Sequence, residues 1–529
     1  MLMNKRLRLL ALSLLTGTCL FAQPKIEKSD PLEVPPKVGF DKVLLLHDGH
    51  TCYLHYEGEE GIKTYLYDAN RKLVVSKAIK GTKWNANSPS DIAIIGTYEI
   101  NGEIVIFLRQ KERKTDILYR LRINEADGTL LKEEMLAQSK NENWQKATQQ
   151  IHVVKDAYSG CYAVIYNDNL SDDADDAIKV MHFDEKHNLL SVAHMTSPDQ
   201  KLKHIIYLDG TVCGNQKVYL STYYAGSGDM DSKVFISSLK AGETTLTNKA
   251  LDFTEDFHET RLQMGYNKVT KRIQLLMNTM VRSKRSTNTF LCVLCFIDPE
   301  ELIVKGIKAM SNENINTFAH NTAATDEDFT GLPQGMIIKA NGNTTILKEN
   351  VFNYTQNGDV IAAIMGDIGI SELDAEGNET QAYLLHYRTN AHGVYDAPYL
   401  RTLAKGEWKN HSFERRMNYS LQDHALRYIE GKKNFYLVTD TYCKDVKTKS
   451  KDKLAKIDGK RAHMNTYYAT FRNGNVADEM LFGPLAGKKD KTMCFMDAAD
   501  QAEDGLFASI VTFKTGKKTE ARIVWAKFD

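Results

Sequence analysis

The chain has 529 residues with 68 basic and 68 acidic side chains, and 42% of it is apolar. Balanced charge argues against general attraction to nucleic acid, and the apolar fraction is ample for a large core. The length calls for several compact domains or for one array of repeats.

At the N-terminus Lys5, Arg6 and Arg8 precede an apolar run from Leu9 to Leu15, and Leu20-Phe21-Ala22 ends in a small residue before Gln23. Residues 1–22 are therefore predicted to be a signal peptide, which places the mature chain in the periplasm, at the outer membrane or outside the cell. Cys19, after Leu15-Thr16-Gly17-Thr18, offers a competing reading as a lipidated residue, although Thr18 is bulkier than that processing prefers. Loss of the leader removes three basic residues and leaves acid in excess by three. No later stretch carries about 18 uncharged apolar residues in succession, so no transmembrane segment is expected in the mature chain. Export permits disulfides, yet the seven cysteines beyond the leader are an odd number, so at least one stays unpaired or pairs with another chain.

From Tyr65 the chain reads "YLYDANRKLVVSKAI", an alternating strand, a polar turn and a second strand. The same unit recurs as "YRLRINEADGTLLKEEML" from Tyr119, "VMHFDEKHNLLSVAHM" from Val180, "VFISSLKAGETTLTNKALDF" from Val234, "LCFIDPEELIVKGIKAM" from Leu294, "GISELDAEGNETQAYLLHY" from Gly369 and "YYATFRNGNVADEMLF" from Tyr467. Ahead of each lies a more continuously apolar strand: "TCYLHY", "EIVIFL", "CYAVIY", "KVYLSTYY", "RIQLLMNTM", "DVIAAIMG" and "NFYLVTD", with "LFASIVTF" near the end. Their spacing is roughly 50 to 60 residues in the first half and 70 to 90 in the second, which suits four-stranded units with inserted loops. The predicted fold is all-β: a single β-propeller over 41–529, with eight blades and seven as the alternative, since Asn312 to Thr345 is irregular. After "LFASIVTF" only "ARIVWAKFD" remains, so the last sheet lacks a strand. The N-terminal segment, residues 23–40 and within it Leu32 to Phe40, is expected to supply it and close the ring, covering edges that would otherwise pair with other chains.

The stretch "DIGISELDAEGNETQAYLL", with "KKNFYLVTDTY" and "NGNVADEMLF" after it, resembles the repeat unit of exported bacterial propeller-like proteins of unassigned activity. The resemblance covers roughly the last third well and the rest by pattern. It implies the fold and brings no functional residues. Signals of catalytic propellers are missing: no Ser-x-Asp-x-Gly-x-Thr-Trp turn or Trp-Asp ending recurs, and there is no GxSxG, HExxH, GxxxxGK[ST] or GxGxxG. Cys292 and Cys295 form a lone CxxC inside an apolar strand, where residues three apart face opposite ways. They read as buried thiols, with no metal or other cofactor expected.

Function is then sought where loops are long. Turns joining third and fourth strands are short ("DANRK", "EADG", "AEGN"), so that end is expected to be flat. Loops after the second strands are longer and charged, and equivalent loops of repeated units share a side. Candidate binding residues there are Asp168, Asp172, Asp173 and Asp175 in an acidic loop, then Tyr223, Tyr224 and Asp229, Arg282, Lys284 and Arg285, and Tyr442, Lys447 and Lys449 in a basic insertion. The acidic loop has carboxylates for a calcium ion but lacks the spaced pattern with a glycine turn and distal Glu, and a solvated turn is the plainer reading. The basic insertion suits an anionic glycan or acidic partner, or is simply a solvated loop. Tyrosines beside these loops either stack on sugars or pack between blades. Two functions follow. One is a non-catalytic scaffold of the cell envelope that engages a protein or glycan through the long-loop face. The alternative is a carbohydrate-active enzyme with paired carboxylates at the central funnel, brought together from different blades.

Overall fold

The structure, a computed structural model, describes residues 23–529 apart from 33–37, 59, 85–90, 113–114, 141–149, 168–177, 196–204, 225–232, 252–256, 283–287, 323–326, 357–358, 388, 392–409, 413–425, 433, 443–463, 473–474 and 485–489. It is a β-propeller of eight antiparallel sheets, not seven. The first blade runs Val38–Leu45, Thr51–Tyr56, Ile62–Tyr67 and Leu73–Ile79 from inner to outer strand, and the next six repeat that meander.

The hydrophobic gradient read from sequence follows from this order. A second strand lies between two neighbouring blades and is buried on both faces. Cys52, Leu54 and Tyr56 pack with Ile92, Ile104 and Ile106 of the second blade, while Tyr53 joins Met493, Ile510 and Trp525 of the eighth. Fourth strands lie at the rim, where Leu73 is 51% exposed. Seven of the eight apolar strands are second strands. "DVIAAIMG" is not: it begins the long third strand of the sixth blade, Asp359–Leu373, which pairs with Thr344–Gln356. That true second strand escaped notice because Lys348 and Glu349, both buried, interrupt its apolar run. The irregular stretch before it holds a helix, Glu313–Asn321, and the sixth blade's inner strand, Leu332–Ile338.

The turn between third and fourth strands has a shared chemistry. Asp68, Asp184 and Asp374 each directly follow a third strand, and each carboxylate accepts the N–H four residues on, from Lys72, Asn188 and Asn378. The residue three on, Arg71, His187 or Gly377, takes a positive φ. An Asp side chain that mimics a backbone turn tolerates that left-handed step, so the motif recurs while the residue at the bend varies.

The last sheet is built from both ends of the chain. Lys25–Lys28 pairs antiparallel with Lys518–Lys527, with Lys25 opposite Lys527 and Lys28 opposite Val524. Closure thus uses a strand nearer the N-terminus than Leu32 to Phe40. Beyond Lys28, Ser29 and Leu32 still donate backbone bonds to Ile523 and Ala521, but Phe40 belongs to the inner strand of the first blade. A short strand, Asn410–Ser412, reaches from the connection between the sixth and seventh blades to pair with Val38–Phe40, covering that inner edge.

Candidate functional site

Two residues of the sixth and seventh blades bring carboxylates into one recess. Glu372 lies near the end of the sixth blade's third strand, and Glu430 ends the seventh blade's inner strand, Leu426–Glu430. Between them is a cavity of about 280 Å³, whose walls include Lys339, Gln381, Lys432 and Asn434. Its floor is aromatic. Phe435 stacks on Phe471 with centroids 4.7 Å apart and on Tyr428 at 5.3 Å, and Tyr383 meets both phenylalanines edge-on. Packing of this kind holds the rings rigidly and leaves the polar groups at the mouth.

The two carboxylates have different surroundings. Glu372 forms an ion pair with Lys339, and its other oxygen accepts the Thr345 hydroxyl at 2.6 Å. The Lys339 ammonium also sits 5.2 Å from the Phe435 ring centroid. Glu430 has no such clamp among the described residues. Partial burial pushes its carboxyl above the usual range, Lys339 opposes this, and the Glu372 and Glu503 carboxylates add to it. A raised carboxyl near a second, ion-paired one is the division of labour that acid and base catalysis needs.

The recess opens beside the short turns 339–343 and 431–434, at the end expected to be flat. The turns are short, and the cavity is lined from both sheets, by Glu372, Gln381 and Tyr383 of the sixth blade and Tyr428, Glu430 and Phe435 of the seventh. No single repeat encodes it, because its halves come from consecutive blades.

At the opposite end, second strands end at Asn167, Tyr224, Arg282 and Tyr442, where the candidate loops begin. Asp168, Asp172, Asp173, Asp175, Asp229, Lys284, Arg285, Lys447 and Lys449 lie outside the described residues. Arg282 and Tyr442 end second strands, paired through their backbones with Asn288 and Met464. Tyr223 and Tyr224 are buried, 8% and 4% exposed. Tyr223 packs with Val234 and Ile236, and Tyr224 with Phe235, so their rings serve the core rather than present a stacking surface. Of the CxxC pair, both expected to be buried thiols, Cys295 is buried in the core shared with the fourth blade, whereas Cys292 is only partly buried.

That end of the first blade also holds a buried polar cluster. Asp41 accepts the Tyr53 hydroxyl at 2.5 Å and lies 2.8 Å from Nδ1 of His55, whose Nε2 is 3.4 Å from Glu57. His55 interrupts "TCYLHY", and that polar residue in an apolar strand was the available signal. Burial disfavours the imidazolium, but Asp41 and Glu57 outweigh it, and the His55 pKa is raised. A His raised in the folded state stabilises below its unfolded value and loses that contribution as pH rises through the folded one. Urea unfolding across pH 6 to 8.5 should show this loss, and Asp41→Asn should flatten it.

His152, on the third blade's inner strand, behaves oppositely. Its ring packs on Tyr207 at 4.5 Å, its Nε2 has no hydrogen-bond partner among the described residues, and burial lowers its pKa to about 4. The folded state then resists a proton the unfolded chain accepts, so about 3 kcal/mol of stability should disappear as pH falls from 6.5 towards 4. His152→Phe should remove most of that acid sensitivity in the same titration.

No protein-family model matches the chain, and no curated protein matches it. Among solved structures it is similar to the polysaccharide lyase Uly1, at 9% identity over 86% of this chain and 93% of that one, with a TM-score of 0.38. It is also similar to the phage phi92 endosialidase, at 8% identity over 92% of this chain and 74% of that one, TM-score 0.31. A third likeness is to an endo-arabinanase from Bacillus licheniformis, at 10% identity over 50% of this chain and 96% of that one, TM-score 0.24. Similarity at this level brings no activity and no residues to this chain.

Proposed function

We propose that the protein is a carbohydrate-active propeller which takes a sugar unit of a glycan in the recess between the sixth and seventh blades. Glu430 acts there as proton donor and Glu372 as the opposing carboxylate. The observation that carries this reading is the pairing of two differently held glutamates over one aromatic floor. Sugars present hydroxyls to carboxylates and amides, the buried ring cluster beneath fixes the walls that carry those groups, and at about 280 Å³ the cavity lies just under the roughly 300 Å³ at which small-molecule sites begin. The site differs from a central-funnel arrangement in lying between blades.

The test is incubation of the mature chain with a panel of polysaccharides and oligosaccharides, following new reducing ends and, separately, the ultraviolet absorbance of an unsaturated product. New reducing ends without unsaturation support acid-assisted hydrolysis. Unsaturated product instead would reassign Glu430 from acid to another role, and a panel that is neither bound nor cut would overturn the reading. The same proposal takes the protein to be exported, on the strength of its basic and apolar leader. Recovery of a chain beginning at Gln23 from cell-envelope or culture fractions checks this.

A further inference from the structure

The buried lysine that interrupts the sixth blade's second strand points to a second site. Lys348 is 1% exposed, and its ammonium donates to the Ser311 carbonyl. It lines a cavity of about 310 Å³ between the outer strand of the fifth blade, Val304–Ala309, and the sixth blade, with Asn314 of the helix at its side. Ser371, also 1% exposed, shares the face of Lys348, because its cross-strand partner is Ile346, two residues away. The Ser371 hydroxyl has no hydrogen-bond partner among the described residues, nor does Oε1 of Glu379, whose Oε2 accepts from Asn314 at 2.6 Å. Lys308, at the mouth, donates to Asn378.

Two ammonium groups face one carboxylate, so the cavity carries a net positive charge. Burying an ammonium without a full counter-charge is costly, and burial lowers the Lys348 pKa to about 8, with Glu379 and Cys292 opposing. Buried hydroxyl and carboxylate oxygens left without partners carry their own desolvation cost. A single ligand type relieves all of these: an anionic group for Lys348 and a hydroxyl beside it for Ser371 and Glu379. We propose that this cavity binds a small hydroxy acid, its carboxylate on Lys348 and its hydroxyl between Ser371 and Glu379. The site is separate from the recess between the sixth and seventh blades and stands whether or not that recess cleaves glycans.

Calorimetry on the mature protein with lactate and glucuronate, beside acetate, glucose and inorganic phosphate, tests the assignment. Lactate and glucuronate should bind, acetate should bind about tenfold more weakly for want of one hydroxyl bond, and glucose should not bind. Near pH 8.5 binding should draw a proton onto Lys348, visible as a buffer-dependent heat. Lys348→Met should abolish binding. Ser371→Ala, which removes only an unpartnered hydroxyl, should keep the fold and reduce the preference for lactate over acetate, leaving the part that rests on Glu379. Binding of glucose as strong as that of glucuronate, preference for phosphate over every carboxylate, no binding of any acid, or a lactate preference unchanged in Ser371→Ala would each overturn the proposal.

Discussion

Replacing Trp525 with alanine is expected to lower the unfolding free energy by about 3 to 5 kcal/mol. The indole is 1% exposed in the seam where the last blade meets the first. Its Nε1 donates to the Thr51 hydroxyl at 2.9 Å, Tyr67 packs edge-on at 5.4 Å, and the Arg71 guanidinium lies 5.2 Å from the ring centroid. Arg71 in turn donates to Glu27 of the closing strand at 3.2 Å, so one side chain couples the first blade, the last blade and the N-terminal strand. Truncation leaves a large cavity and deprives the buried Thr51 of its donor. Trp525→Phe should cost less, and Arg71→Ala less again, since a cation over an aromatic face contributes about 0.5 to 2 kcal/mol. Denaturant unfolding of the three variants orders them. A cost below 1 kcal/mol for Trp525→Ala would show that closure rests elsewhere.

Glu430→Gln is expected to reduce turnover of a cleaved glycan by about 10² to 10⁴-fold with a small change in substrate affinity. The amide keeps the shape but has no acidic proton to give. On the proposed reading Glu430 acts in its protonated form, so wild-type activity should fall as pH rises through its raised pKa. Lys339→Met removes the cationic influence that lowers Glu430 among the described residues, so the alkaline limb should move to higher pH. A Glu430→Gln enzyme of normal turnover, or a limb that Lys339→Met leaves in place, would remove Glu430 from the acid role.

Architecture was legible because each blade repeats the same local chemistry. The Asp-led turns at Asp68, Asp184 and Asp374 mark the hairpins, and strands such as "TCYLHY" mark the doubly buried layer. The sixth blade was misaligned where Lys348 and Glu349 broke that layer, and the departure marks the cavity proposed above. Sites were less legible for a different reason. Glu372 and Glu430 belong to different blades, and each alone reads as an ordinary charge near a turn. Tyr223 and Tyr224 show the reverse: beside a long loop they suggest a surface, but they occupy the last buried turn of a second strand. Periodicity reports what each sheet repeats, whereas a recess lined from two sheets depends on both unlike neighbours.

The pairing of Lys25–Lys28 with Lys518–Lys527 also sets an order of events. A chain emerging N-terminus first can complete seven sheets while the eighth waits for its C-terminal strands, and the first strand made is among the last to be placed. Contacts between the two ends carry the largest loop-closure cost in the molecule, which slows the final step relative to hairpin formation. Until then the ring is an open arc with two uncovered blade faces.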